Sequence, residues 1–475
     1  MKLALRELRS DPRQHLPSII VVTVASFFGT TLIQAMAVLR AWLNSQALVA
    51  ESGTATLMVG LVGAIFFGIA LFVSSLVISN TFGIIVAGRT PRIALLRLIG
   101  ASARTLRRSV GWEGLVIGLV GGVIGLVLSI PLAWAGVRLL SQPKYSATPL
   151  DFALLRPDLL VPLLLMVLLT WACAWSGASR VLTVSPIEAT GAAREPNLTE
   201  ARASTAKQVL SIIGVVVGAL LLLGGLALGL FSPLGLPIAF LGGMSSFIGL
   251  SLGSAWVLPP VQRLVSRVFS GTAAGRQAAR NCARFPVRTS RSTMGLVIGI
   301  TLIAMFGTAS YTFQSVMIEQ VAQSEQMAGM EEAIRQLTNQ IMSFFAILLA
   351  FSVLIAMIGV INNISLSVTQ RTREIGLLRA VGMSRRGVRS MVLSEAGQIT
   401  LTGSLFGLLL GVFYGWVGAI STLGSLSGVG MQPPTVPWPI LGGCLVLALL
   451  VVVGSSTMPA GRAASVAPTE ALRTA

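Results

Sequence analysis

Charge is scarce in this chain of 475 residues, where Asp, Glu, Lys and Arg together make up only 11%, against roughly 25% in an ordinary soluble domain. So few charges cannot clothe a water-exposed surface of this size. Lysine is scarcer still, with only Lys2, Lys144 and Lys207, which follow Met, Pro and Ala. A phosphate-cradling P-loop needs Lys directly after Gly, so the chain does not supply that ATP-binding motif. His15 is the one histidine, and Cys173, Cys282 and Cys444 lie far apart without a CxxC pair. That pattern argues against a zinc site and a disulfide framework. No nucleophile elbow, metal-ligand cluster or pair of in-membrane carboxylates occurs, so no catalytic or metal-binding residue is assigned.

What the chain has in abundance is apolar sequence, at 54%. Apolar runs between polar breaks fall near 17–39, 56–86, 110–137, 158–178, 209–231, 237–258, 293–314, 340–366, 393–420 and 439–457. Each is long enough to cross a bilayer as a helix. The expected fold is therefore all-α, a polytopic membrane protein of about ten helices, with the long runs 56–86 and 110–137 tilting or projecting beyond the lipid. The middles of the runs hold essentially no ionisable residue, which weakens an ion-coupled mechanism. The first run, with basic residues before it and Ala35-Met36-Ala37 behind, imitates a secretory signal. Its long amphipathic lead, Leu3, Leu5 and Leu8 against Arg6, Glu7 and Arg9, and its recurrence later in the chain mark it as an architectural helix.

The net charge of +18 follows from topology. With the N-terminus cytoplasmic, 29 of the 34 basic residues fall in inside segments. Only Arg40, Arg138, Lys144, Arg156 and Arg335 fall outside, which satisfies the positive-inside rule and places both termini in the cytoplasm. Glu319, Glu325, Glu331 and Glu332 in the outer segment 315–338 agree with that orientation. The partner implied by the charge is the lipid bilayer and not a nucleic acid.

The sequence also repeats. At an offset of 282, Arg89-Thr-Pro-Arg-Ile-Ala-Leu-Leu-Arg97 meets Arg371-Thr-Arg-Glu-Ile-Gly-Leu-Leu-Arg379, and the match runs on through Gly100/Gly382, Ser102/Ser384, Arg104/Arg386, Arg107/Arg389 and Glu113/Glu395. Over 89–113 there are 12 identities in 25 positions. Near the ends of the copies Arg180, Pro186 and Glu188 meet Arg462, Pro468 and Glu470. Upstream the offset is 274, pairing Arg6 and Pro12 with Arg280 and Pro286. Four helices, two unpaired helices and four more follow, as a parallel repeat about an axis along the membrane normal. The domains are 1–195, 196–262 and 263–475.

The most charged parts of the repeat are the loops 87–110 and 369–392. Each reads as a short amphipathic helix, a stop at Gly100 or Gly382, and a second short helix with Ser102 or Ser384 as N-cap. In the second copy Ile375, Leu378 and Val381 share a face while Arg373, Glu374 and Arg379 carry charge. Such an element serves either to dock a cytosolic partner or to rest on lipid headgroups. Glu113 and Glu395 read as carboxylates near the starts of their helices, favoured by the helix dipole. Glycines at four-residue spacing, Gly118/Gly122, Gly121/Gly125 and Gly403/Gly407/Gly411/Gly415, allow close helix approach, either as static packing or as a sliding seam between the halves. Asn80, Asn362 and Asn363 read as helix-end hydrogen bonders, and Met317–Asn339 as a polar hairpin whose Met317, Met327 and Met330 are candidates to receive an amphipathic substrate.

The run Gln370-Arg-Thr-Arg-Glu-Ile-Gly-Leu-Leu-Arg-Ala-Val-Gly-Met-Ser-Arg-Arg, followed by Glu395-Ala396, resembles the FtsX/MacB-like permease domain of ABC transporters. The four-two-four order resembles the ten-helix permeases of the bacitracin-export type. The resemblance implies the membrane subunit of an ABC transporter in a bacterial cytoplasmic membrane, served by a separate cytosolic ATPase in two copies that holds the ATP and Mg. It also implies coupling helices built from Arg89, Arg92, Leu95, Leu96, Arg97 and Gly100, and from Arg373, Glu374, Leu377, Leu378, Arg379 and Gly382. Gly121, Gly125, Gly403, Gly407 and Gly411 are the expected helix-packing positions. The expected activity is export or membrane extraction of an amphipathic or lipid-like substrate such as an antimicrobial peptide, an antibiotic or a lipid. The alternative is a mechanotransmission or signalling subunit that moves a partner without transport. Two departures stand out: Pro91-Arg92 replaces the Arg373-Glu374 pattern in the first copy, and the loops after the first helix of each copy are too short for a large extracytoplasmic domain.

Overall fold

The computed structural model of the protein describes residues 12–44, 63–65, 67–69, 71–79, 82, 90–140, 156–178, 205–232, 234–284, 286–323, 382–425, 430–439, 441–443 and 445–446. Proline opens the first long helix of each copy. Helix α1 spans Pro12–Asn44 and its counterpart later in the chain spans Pro286–Gln323. A proline at the first helical position is free of cost, because its missing N–H would have no partner there. These two prolines are the pair that the upstream repeat aligns, so both copies begin at the same point of the repeat.

Two compact units divide the chain, Met1–Arg194 and Glu195–Ala475. In the first, α1 is followed by a shorter apolar helix, Gly63–Ser79, then α2 (Thr90–Leu98), α3 (Ala103–Leu140) and, after a 3-10 turn at Pro157–Leu159, α4 (Leu160–Gly177). Helix α3 packs along both α1 and α4. Polar side chains add ties between α1 and α3: Ser26 Oγ donates to the Gly122 carbonyl (2.9 Å) and Gln34 Nε2 to Ser129 Oγ (3.2 Å).

The second unit contains α5 (Thr205–Gly229), α6 (Gly235–Leu252), α7 (Ser254–Val268), α8 (Ala273–Arg284), α9 (Pro286–Gln323) and α10 (Arg385–Leu423). The hairpin α5–α6, which lies between the sequence copies, belongs to this unit and packs on α10. Leu222, Leu226, Ala239, Val417 and Ile420 form the buried cluster between them. Ser246 Oγ and Tyr414 Oη lie 2.7 Å apart at the same junction.

Among the described residues seven helices are long and apolar enough to cross a membrane, and no β-strand occurs. They coincide with seven of the ten expected spans; Gly63–Ser79 represents an eighth, 340–366 lies outside the described residues, and 439–457 lies mostly outside them. Their outward faces are apolar, as at Leu164 and Leu168 on α4 or Leu220 and Leu223 on α5. Apolar faces of this extent, on helices long enough to cross a bilayer, suit a lipid surrounding. Helix α3, at 38 residues, is about 57 Å long at 1.5 Å per residue and overshoots a hydrocarbon core of roughly 30 Å, as its long apolar run predicts.

Three expectations change. The run 237–258 stops as a span at Leu252, and the chain turns at Gly253 into the amphipathic α7. The second short helix of each charged loop is not separate, because α3 and α10 run unbroken from Ala103 and Arg385 into the membrane. Consequently Glu113 and Glu395 are the eleventh residues of their helices, in the third turn. The helix dipole acts within the first turn, so it does not explain them; both are buried, Glu113 to 1% exposure.

Candidate functional site

Helix α2 occupies the loop that the repeat singled out. Its nine residues are too few to be stable alone in water, and tertiary contacts hold it. Ile93 packs with Ala178 beyond the end of α4 and with Leu106 and Val110 of α3. Ala94 is fully buried beside it. The chain then stops the helix at Gly100, whose φ of 99° lies in the left-handed region that glycine enters without penalty. Ala101 N–H closes the turn onto the Leu96 carbonyl at 2.9 Å, and Ser102 Oγ accepts from Thr105 N–H at 3.2 Å to begin α3.

The second copy has the same junction. Gly382 has φ 104°, Ser384 Oγ accepts from Gly387 N–H at 3.1 Å, and α10 begins at Arg385, the repeat partner of the first residue of α3. Of the second set of candidate residues, Arg373, Glu374, Leu377, Leu378 and Arg379 lie outside the described residues. In the first set, Arg89 and the side chain of Arg92 lie outside them as well.

The remaining first-copy residues divide by face. Leu96 and Arg97 are half-buried, while Leu95 is 57% exposed. Leu98 and Ile99, absent from the sequence-based selection, are 54% and 81% exposed. Leu95 and Leu98 of α2 and Ile99 in the turn that follows are spaced i, i+3 and i+4, so they form one apolar stripe beyond the membrane span. Their repeat partners Ala380 and Val381 are also apolar, a signal in the sequence itself that points to 98 and 99.

The surroundings are basic. Arg104 and Arg108 are exposed near the start of α3, and Arg385, Arg386 and Arg389 near the start of α10. A helix N-terminus carries partial positive charge, so these arginines raise an already positive potential and make an anionic partner favourable. Arg107 instead fastens α3 to α4: its guanidinium lies 4.5 Å from the Trp175 ring centroid, and its Nε donates to the Trp175 carbonyl at 3.3 Å. Among the described residues no three His, Cys, Asp or Glu side chains converge as a metal site would require.

Glycines line the helix contacts behind the site. A Cβ at Gly121 would lie 2.8 Å from Val22 Cγ1, and one at Gly125 would lie 2.5 Å from the Phe27 nitrogen, both on α1. A Cβ at Gly118 would meet the Val167 backbone of α4 at 3.2 Å. In the second unit the row Gly403, Gly407 and Gly411 faces Leu296, Ile300 and Ala304 of α9. Each row thus packs closely against a helix of its own unit, as the static-packing reading of the glycine spacing has it. Gly121 and Gly403, and likewise Gly125 and Gly407, are repeat equivalents, so both copies use the same helix pair in the same register.

Comparison with known proteins agrees with this arrangement. A model described as the FtsX-like permease C-terminal domain matches residues 64–186 and again 346–468. The permease YknZ of Bacillus subtilis, an ABC transporter permease, is 32% identical over 153 residues, covering 32% of this chain and 36% of the relative. The macrolide export ATP-binding/permease protein MacB of Sodalis glossinidius is 30% identical over 168 residues, or 34% of this chain and 25% of the relative. The pyoverdine export ATP-binding/permease protein PvdT of Pseudomonas putida is 32% identical over 145 residues, or 30% and 21%. The chain therefore matches little more than a third of the length of any of these three. With two copies of one permease domain, displaced by the same offset as the internal repeat and together spanning just over half of the sequence, the chain belongs to the FtsX-like permease family.

Proposed function

We propose that this chain is the membrane permease subunit of an ABC transporter, driven by a separate cytosolic ATPase that docks in two copies and holds the ATP and Mg. The observation that carries this reading is the stripe Leu95, Leu98 and Ile99, exposed on a helix whose opposite face is anchored by Ile93 and Ala94. An exposed apolar stripe in a basic setting marks a protein or a membrane contact, and the likeness to ABC transporter permeases supports an ATPase as what covers it. The partner side is the cytoplasm, with both termini inside a bacterial cytoplasmic membrane, as the distribution of basic residues supports. Closure of the ATPase pushes α2, and the continuous α3 carries the displacement into the membrane.

The cargo is amphipathic or lipid-like, an antimicrobial peptide, an antibiotic or a lipid, expelled or extracted from the bilayer. The relative named for macrolide export supports that class, and so does the scarcity of ionisable residues in the spans. The test is purification of the tagged full chain from its native membrane with nucleotide trapping. A P-loop ATPase at about two copies per chain is expected, reduced by Leu95→Asp with Ile99→Asp and by Leu378→Asp. Retention of the ATPase at full stoichiometry by all these variants, or its absence from the wild-type complex, overturns the docking reading.

A further inference from the structure

Helix α7 has three distinct sides. At about 100° per residue, its buried residues Ser254, Leu258, Gln262 and Val265 fall together and face the bundle. Val257, Val261, Leu264 and Val268 share a second side, within an arc of about 60°. Leu264 is 62% exposed and Val268 75%. Arg263 and Arg267, both exposed, form the third side, with Pro260 between the apolar edge and the basic one. No acidic residue occurs between Glu200 and Glu319, so neither α7 nor α8 supplies a carboxylate to these arginines.

Contacts within the second unit fix the depth of this helix. One membrane boundary lies near Gly229, the last residue of the α5 span, which packs on Ser421 of α10. At the other end of the hairpin, Ser211 Oγ donates to the Gly249 carbonyl at 2.7 Å and sits against Gly253, where α7 begins. From Ser211 to Gly229, α5 rises about 27 Å at 1.5 Å per residue. Farther along α7, Ser266 Oγ donates to Gln398 Oε1 at 3.0 Å, and the ring of Phe269 would lie 3.2 Å from a Cβ at Gly397. From Gln398 to Ser421, α10 rises about 35 Å on the same measure. Over about 20 Å of its own length, α7 therefore descends only about 8 Å. It runs nearly in the membrane plane, at the depth where a hydrocarbon core of roughly 30 Å gives way to headgroups.

We infer that α7 is an in-plane helix of the cytoplasmic membrane surface, with Val257, Val261, Leu264 and Val268 seated among the acyl chains of the inner leaflet and Arg263 and Arg267 among its phosphates. Helices of this kind bury an apolar edge at the headgroup boundary and keep their cations at its polar side. Through Ser266 and Phe269, α7 holds α10 at a fixed depth where α10 leaves the lipid. The contact needs the bilayer and not the ATPase, so this reading and the docking reading can fail separately.

Spin labelling of the full chain in nanodiscs of dioleoylphosphatidylcholine and dioleoylphosphatidylglycerol tests it. Single cysteines are placed as Leu264→Cys, Val268→Cys, Arg267→Cys and Ser270→Cys, all at exposed positions, with Leu220→Cys in mid-span as the lipid reference. Cys444 is replaced by Ser, and Cys173 and Cys282 are buried. Each label is read for collision with oxygen, which concentrates in lipid, and with a water-soluble nickel chelate. The oxygen-to-nickel ratio at Leu264 and Val268 is expected to approach that at Leu220 and to exceed that at Arg267 and Ser270 at least about threefold, with depth-quenching lipids placing both labels within about 10 Å of the phosphates. A ratio at Leu264 and Val268 equal to that at Ser270 means that the edge faces water and overturns the inference. Exclusion of both reagents from these two positions means that protein covers the edge, and overturns it equally.

Discussion

Gly100 and Gly382, equivalent positions of the repeat, hold one left-handed backbone conformation, φ 99° and 104°. Among the described residues, chain neighbours aside, no atom lies within 4 Å of where a Cβ would stand at either position. The backbone conformation is therefore what selects glycine against the described surroundings. Gly100→Ala and Gly382→Ala are each expected to cost about 1–2 kcal/mol, with Asn costing less because it tolerates this region. Thermal unfolding of the detergent-solubilised protein checks the order Gly, Asn, Ala.

The glycine rows yield an opposite pairing of effects. A Cβ at Gly411 would lie 2.5 Å from Ala304 Cβ and 2.7 Å from the Thr301 carbonyl, whereas one at Gly418 on the same helix meets nothing within 4 Å among the described residues. Gly411→Ala is expected to force α9 and α10 apart and lower the unfolding temperature. Gly418→Ala is expected to be neutral or to stabilise by up to about 1 kcal/mol through helix propensity. A similar fall for both would show that the close approach is not what selects glycine.

Gln398 joins three helices, since Ser266 is on α7, Gly275 on α8 and Gln398 itself on α10. Gln398→Leu keeps the bulk and removes both of these buried hydrogen bonds, at an expected cost of about 1–3 kcal/mol in total. The loosening is local to the turn between α7 and α8. Limited proteolysis is expected to cut near 269–274 faster in the variant, with α5 and α6 protected as before.

The proposed orientation is open to direct labelling. Ile99 is 81% exposed and Trp438 75% exposed, and the basic-residue distribution assigns them to opposite sides. In a background with Cys444 replaced by Ser, and with Cys173 and Cys282 buried, Ile99→Cys is expected to react with a membrane-impermeant maleimide only after the cells are opened. Trp438→Cys is expected to react in intact cells. The reverse pattern inverts the topology.

Much of this architecture can be read from residues. The loop punctuation is legible because Gly100 and Ser102 act through local backbone chemistry, which sequence carries directly. The spans are legible because a long uninterrupted apolar run has few other uses. Helices α7 and α8 are not: seven arginines between 263 and 291 and the pair Pro259-Pro260 suggest a loop. The buried residues Leu258, Gln262 and Val265 instead follow a helical period of partners supplied by distant segments. The depth of Glu113 is hidden for a related reason, since helix length depends on where the cap falls and not on where hydropathy rises. No local signal reveals that the hairpin α5–α6 settles on α10, because the Ser246–Tyr414 contact joins residues 168 apart.

The glycine-lined contacts also bear on friction. At α1–α3 and α9–α10 one partner presents backbone where other helix pairs present side chains, so bringing the pair together freezes no rotamers on the glycine side and separating it releases none. A shift of α3 along α1 must still break the Ser26–Gly122 and Gln34–Ser129 bonds, so these contacts hold the pair in one register. The two copies thus have matched, closely approached helix pairs, so a displacement at the end of α3 or α10 would move each pair as a unit and not be absorbed by repacking between its helices.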